Sequence, residues 1–209
     1  MDNALNLIQS WINSSSWKVR IIPRSDHNDK CESLLGLSEH STLGTIINHV
    51  GGISAANGVI RHFGGTNQFN LSIKSVNQIL NQCPNAFPGV LVVADDIYGG
   101  LFGINNSLPI AKPGTMLYLP PDSYTWESLE IGHSAFVHWS MTGDVPLFYK
   151  KYRFIPVESN IPFQKVLDFS PPLWAADVAA ENSNIPWWSL PKCTRLGASC
   201  WSSCHELTG

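Results

Sequence analysis

Apolar residues recur along this chain with two periods, and the periods mark out its elements. After Asp2, a good helix N-cap, Ala4, Leu5, Ile8, Trp11 and Ile12 repeat on one helical face. "SSSWKVRIIP" reads as a short extended segment ended by Pro23, and a second short helix is expected around Glu32 to Leu37. "STLGTIINHVGG" and "NGVIRHFGG" read as two strands, each closed by a glycine pair, with Asn57-Gly58 as the turn before the second. Ile73, Val76, Ile79 and Leu80 return to helical spacing. "GVLVVA", "GLFGIN" and "GTMLYL" are then three apolar runs split by turn residues, the signature of an antiparallel meander. Helical spacing resumes in "HSAFVHWSM" and in "DVPLFYKKY", where Asp144 suits an N-cap and Pro146 the first turn. Beyond Phe154 the chain turns proline-rich, through "SPPLW" and "IPWWSLP". The expected layout is one α+β domain over residues 1–190, with helices packed on one face of a mainly antiparallel sheet. A loosely ordered Ser/Cys-rich tail, 191–209, follows it.

Composition narrows the function classes. Charged residues are 14% of the 209, against a usual share of about 25%. Eight Trp and nine Phe point to a compact globule with some sticky surface. A net charge of -3 offers no broad attraction to nucleic acid or anionic lipid. "MDNALNLIQSWINSS" has neither a basic n-region nor an apolar h-region, and no window approaches a membrane span. Five cysteines, with Cys31 and Cys83 far from the rest, fit reduced thiols and a cytoplasmic location.

The motifs "STLGTIINHVGGI", "GVIRHFGG", "VVADDIYGGLFGIN", "LPPDSYTWESL" and "HSAFVHWSMTGDVPLFYKKYRF" occur in an order that resembles the bacterial family catalogued as domain of unknown function 2625. The resemblance covers roughly residues 5 to 190. Its most specific parts are Pro121, Asp122, Trp126 and Glu127, and then Trp139, Gly143, Asp144, Phe148 and Tyr149. Asn106-Ser107 stands where the family pattern has a glycine pair, and Phe154 where it has Trp. The arrangement also resembles, more remotely, the SUKH superfamily, many of whose members are immunity proteins that bind and neutralise toxins. Domain of unknown function 2625 implies no established activity.

Candidate chemistry begins with Asp95 and Asp96, which end an apolar run. Paired carboxylates could ligate a divalent cation or share a proton. Adjacent residues on a strand, however, face opposite ways, so the favoured reading is a hairpin turn with Gly99 and Gly100 at positive φ. "IGHSAF" imitates a nucleophile elbow, with Asp168 or Asp177 and His205 downstream. Phe136 would crowd that turn, and "YTWESLE" is too polar for the buried strand an elbow needs. Cys193, Cys200, Cys204 and His205 lack zinc-site spacing, and "IRHFGGTN" lacks a phosphate-loop pattern. His49, His62, His133 and His138 are too scattered to form a metal pair.

No cofactor and no metal site is expected. The leading expectation is a non-enzymatic protein-binding module, of immunity type by the remoter resemblance. It would contact a protein partner through Asp122, Trp126, Glu127, Asp144 and Tyr149, an aromatic set with an acidic rim. The alternative is a small hydrolase or metal-dependent enzyme using Asp95, Asp96, Asp122 or Glu127. Self-association through Trp187 and Trp188 is a third expectation.

Overall fold

A computed structural model describes residues 3–25, 38, 40–81, 87–123, 125–152, 161–163, 165–167 and 187–189. Seven strands form one antiparallel sheet in chain order: β1 (Arg20–Ile22), β2 (Gly52–Ala55), β3 (Ile60–Phe63), β4 (Val90–Asp96), β5 (Leu101–Asn105), β6 (Thr115–Leu119) and β7 (Glu127–Gly132). β8 (Lys165–Leu167) and β9 (Trp187–Ser189) pair separately. The expected meander is present and runs further than the three apolar runs suggested. Its last strand is the polar-rich "ESLEIG", a pattern that a strand at the rim of a sheet can adopt because only part of it is buried.

Among the described residues five α-helices accompany the sheet: α1 (Asn3–Ser14), α2 (Thr42–His49), α3 (Ile73–Leu80), α4 (His133–Thr142) and the one-turn α5 (Val145–Phe148). α2 corrects the expectation of a strand in "STLGTIINHV". The Ser41 side chain accepts a hydrogen bond from the Gly44 N–H, 2.9 Å away, so the segment starts with an N-cap. Leu43, Ile46, Ile47 and Val50 then fall at helical spacing, and all four are buried. The glycine pair after it opens β2 instead of closing a strand. Asn57 and Gly58 do make the expected turn, at φ 59° and 97°.

The α+β layout holds. α1, α2 and α4 pack together on one sheet face, where Ile8, Ile46, Val50, Val137 and Met141 cluster with Ile53 and Ala55. α3 lies along the first half of β4. The Asn77 side chain both donates to the Val92 carbonyl at 2.7 Å and accepts from the Val92 N–H at 2.9 Å, as a neighbouring strand would. "DVPLFYKKY" is helical for less of its length than its spacing implied. α5 ends at Phe148, and Lys150–Tyr152 form a 3-10 turn.

The Asp2 cap, the Glu32 to Leu37 helix, all five cysteines and the tail after residue 190 lie outside the described residues.

Candidate functional site

Asp95 and Asp96 end β4 and are both buried. Strand alternation sends them to opposite faces of the sheet. The register sets Asp95 opposite Arg61 of β3 and Asp96 opposite Ile60. Arg61 is fully buried, and its Nε donates to Asp95 Oδ1 at 2.8 Å while Nη2 donates to Oδ2. The arrangement is a bidentate buried ion pair. Burial pushes the Asp95 carboxyl up to about 6, against the pull of the Arg61 charge.

Asp96 faces the helical side. Its Oδ1 accepts from the N–H groups of Tyr98 and Gly100, both at 2.9 Å. Its Oδ2 accepts from the hydroxyls of Tyr118 at 2.9 Å and Tyr149 at 3.0 Å. Burial raises its pKa, opposed by those four bonds. The hairpin reading of the acid pair is correct, with one adjustment. Only Gly99 takes a positive φ, 95°. Gly100 is required for room, since a Cβ there would meet Asp96 Oδ2 at 2.5 Å and the Tyr118 hydroxyl at 2.6 Å.

The other acids lie around α5. Asp144 caps that helix, its Oδ1 accepting from the Leu147 N–H at 3.0 Å. Asp122 accepts from the Tyr152 hydroxyl at 3.0 Å and pairs with exposed Lys151 at 3.3 Å. Glu127 is exposed and sits opposite Tyr118 in the register, on the sheet face where the Tyr118 ring meets Phe148 edge-on at 5.1 Å. Leu147, at the tip of α5, is 64% exposed. Trp126 and Tyr149 are different: Tyr149 is fully buried on Asp96, and Trp126 packs edge-on against Phe87 at 5.3 Å and is 8% exposed. These two belong to the core beneath the surface.

Residues that pattern reasoning passed over include a serine–histidine contact. His62 Nε2 lies 2.8 Å from Ser140 Oγ, and the Ser140 hydroxyl donates to the Val137 carbonyl at 2.7 Å. The hydroxyl proton is thereby committed to a carbonyl, so the ring must donate from Nε2. This is the reverse of a nucleophile handing its proton to a base, and both residues are buried. The Nδ1 atoms of His62 and His133 are buried without hydrogen-bond partners. Burial holds His62 down at about 3 and His133 at about 4. Ser134, the would-be nucleophile, is an exposed residue of the first turn of α4.

Among the described residues no three His, Cys, Asp or Glu side chains gather as a metal site, and no helix is long and apolar enough to cross a membrane. Gly64 and Gly65 serve packing: a Cβ on Gly64 would meet the Val50 carbonyl at 2.4 Å, and one on Gly65 the Ile47 carbonyl at 2.5 Å.

A family model described as "Protein of unknown function DUF2625" matches residues 1–185. The uncharacterized protein YbfG of Escherichia coli (strain K12) is 28% identical over 190 residues, which cover 88% of this chain and 86% of that protein. An uncharacterized protein of Haemophilus influenzae is 26% identical over 152 residues, 68% of this chain and 64% of the relative. No solved structure matches.

Proposed function

We propose that this chain, which belongs to the DUF2625 family of proteins of unknown function, is a non-enzymatic, cytoplasmic protein-binding module whose contact face is α5 with its acidic flanks. The observation that carries the reading is Leu147, a large apolar side chain 64% exposed at the tip of a one-turn helix. So short a helix does not hold itself together. Here it is clamped from beneath, because the next residue but one, Tyr149, is fully buried with its hydroxyl on Asp96. Asp144 fixes its start, and the Tyr152 to Asp122 bond fixes the turn that follows. An exposed apolar side chain on a bonded mount, with Asp144 at the helix start, Asp122 on Tyr152 and Glu127 opposite Tyr118, suits an apolar contact with a polar rim. The complementary partner is a protein with an apolar pocket and a basic margin. In the immunity-type version, suggested by the remoter SUKH resemblance, that partner is a toxin.

The hydrolase or metal-enzyme alternative draws on Asp95, Asp96, Asp122 or Glu127, and its acid-pair form needs Asp95 and Asp96 to converge on open space. They leave opposite faces of β4 and are each bonded inside the fold, so the geometry favours the binding reading. The test is affinity capture from the native cells with the wild-type chain and with Leu147→Asp, followed by quantitative mass spectrometry. One protein recovered near equal stoichiometry with wild type, and at least about tenfold less with a folded Leu147→Asp variant, supports the proposal. Equal recovery with both would reject the α5 face.

A further inference from the structure

The sheet face opposite α4 is covered by a short segment from far along the chain. Ile161 and Phe163 are 1% and 2% exposed and join the hydrophobic core, and their segment is also bonded through its backbone. The Ile161 N–H donates to the Asn57 carbonyl at 3.3 Å, and its carbonyl accepts from Arg20 Nη2 at 2.7 Å. The Phe163 carbonyl accepts from Arg61 Nη1 at 3.1 Å. Arg61, which also holds Asp95, is thus tied to a segment 102 positions away in the chain.

Two glycines make room for the side chains. A Cβ at Gly58 would meet Ile161 Cβ at 2.7 Å, and one at Gly52 would meet Phe163 Cζ at 2.7 Å. Phe69 closes the side, its ring centroid 5.8 Å from that of Phe163. Donors and an acceptor for a segment's backbone, with seats for alternate side chains, are how proteins bind peptides.

We infer that this face is a peptide groove occupied by the chain's own Ile161–Phe163 segment, a latch that releases and reseats as a unit and that a free peptide of the same chemistry can replace. The ligand class is an extended peptide with a β-branched residue and, two positions on, an aromatic ring. The tethered segment competes at an effective concentration on the order of millimolar, so the intact protein takes up such a peptide weakly. Weakening the tethered copy removes the competitor.

The test uses the full chain and the synthetic peptide SNIPFQK, the sequence of residues 159–165, in a fluorescence-anisotropy titration. Phe163→Ala, folded by circular dichroism, is expected to bind the peptide at least about tenfold more tightly than wild type. The control peptide SNIPAQK is expected not to bind. Equal affinity of both peptides, or no gain in Phe163→Ala over wild type, overturns the proposal. Should Phe163→Ala not fold, the milder Phe163→Leu is titrated with the same two outcomes. If that variant is also unfolded and saturating peptide does not restore it, the segment is a fixed part of the core and the latch is refuted. The α5 surface lies on the other sheet face, so this result is independent of the binding reading above.

Discussion

Period-two alternation sends the Asp95 carboxylate to Arg61 and the Asp96 carboxylate to Tyr118 and Tyr149. That the two acids diverge could be read from their adjacency on a strand. Their partners could not, because Arg61 is 34 residues from Asp95 and Tyr149 is 53 from Asp96, and only the β3–β4 register and the fold of α5 bring them together. The same limit explains Tyr149, which reads as a surface aromatic until its hydroxyl is seen to be one of four donors on a buried carboxylate. A buried pair is weak evidence for stability, since desolvation offsets much of the attraction. It does make a sharp prediction. Arg61→Ala, which strands a buried carboxylate, should lower unfolding free energy by about 3–5 kcal/mol. The double replacement Arg61→Met with Asp95→Leu should cost clearly less than the sum of the two single changes. Urea midpoints of the three variants check this, and purely additive losses would contradict the pairing.

The elements show where pattern reading succeeds. α3, α4 and the β4–β6 meander follow their periodicities, and Asp144 caps α5 as its residue type suggests. α2 misleads because its Thr and two Ile favour strands while the glycine pair resembles a strand end. The Ser41 cap and the spacing of Leu43, Ile46, Ile47 and Val50 were the better signal. α4 rests on the sheet through Phe136, whose ring lies 5.2 Å from His62, and through the Ser140 to His62 bond. Both His62 and His133 are held neutral by burial, far below their ordinary pKa near 6.5. The unfolded chain therefore takes up protons that the folded chain refuses. The stability each histidine contributes is full above about pH 6.5 and declines as pH falls toward 4 and 3. Each contributes a slope of about 1.4 kcal/mol per pH unit in that window. Asp95 acts oppositely: its raised pKa favours folding at low pH, and that contribution is lost as pH rises through about 6. A comparison with His62→Gln isolates the histidine. The stability gap between wild type and variant should narrow as pH drops from 7 to 4, read from urea midpoints. A gap independent of pH would show that His62 is not buried neutral.

At the scale of the molecule, the sheet separates two kinds of surface. One face receives α1, α2 and α4, and α5 leans over the end of β6 with Phe148 against Tyr118. The other face holds the Arg61–Asp95 pair under Ile161 and Phe163. The acids that composition and spacing single out divide by burial and not by sheet face. Asp95 and Asp96 are sealed into the fold, while Asp144 caps α5, Asp122 holds Tyr152 and Glu127 is exposed opposite Tyr118. Where each acid sits depends on strand register and on the buried Tyr149, neither visible in a linear pattern. The binding function proposed above makes α5 the contact surface, mounted on Asp96 through Tyr149. Hydrogen exchange on the full chain, alone and with the captured partner, tests it most directly. Slowed exchange is expected across Asp144 to Tyr152 and on the backbone around Asp122 and Glu127. Protection confined to other elements, with Asp144 to Tyr152 exchanging as in the free protein, would contradict it.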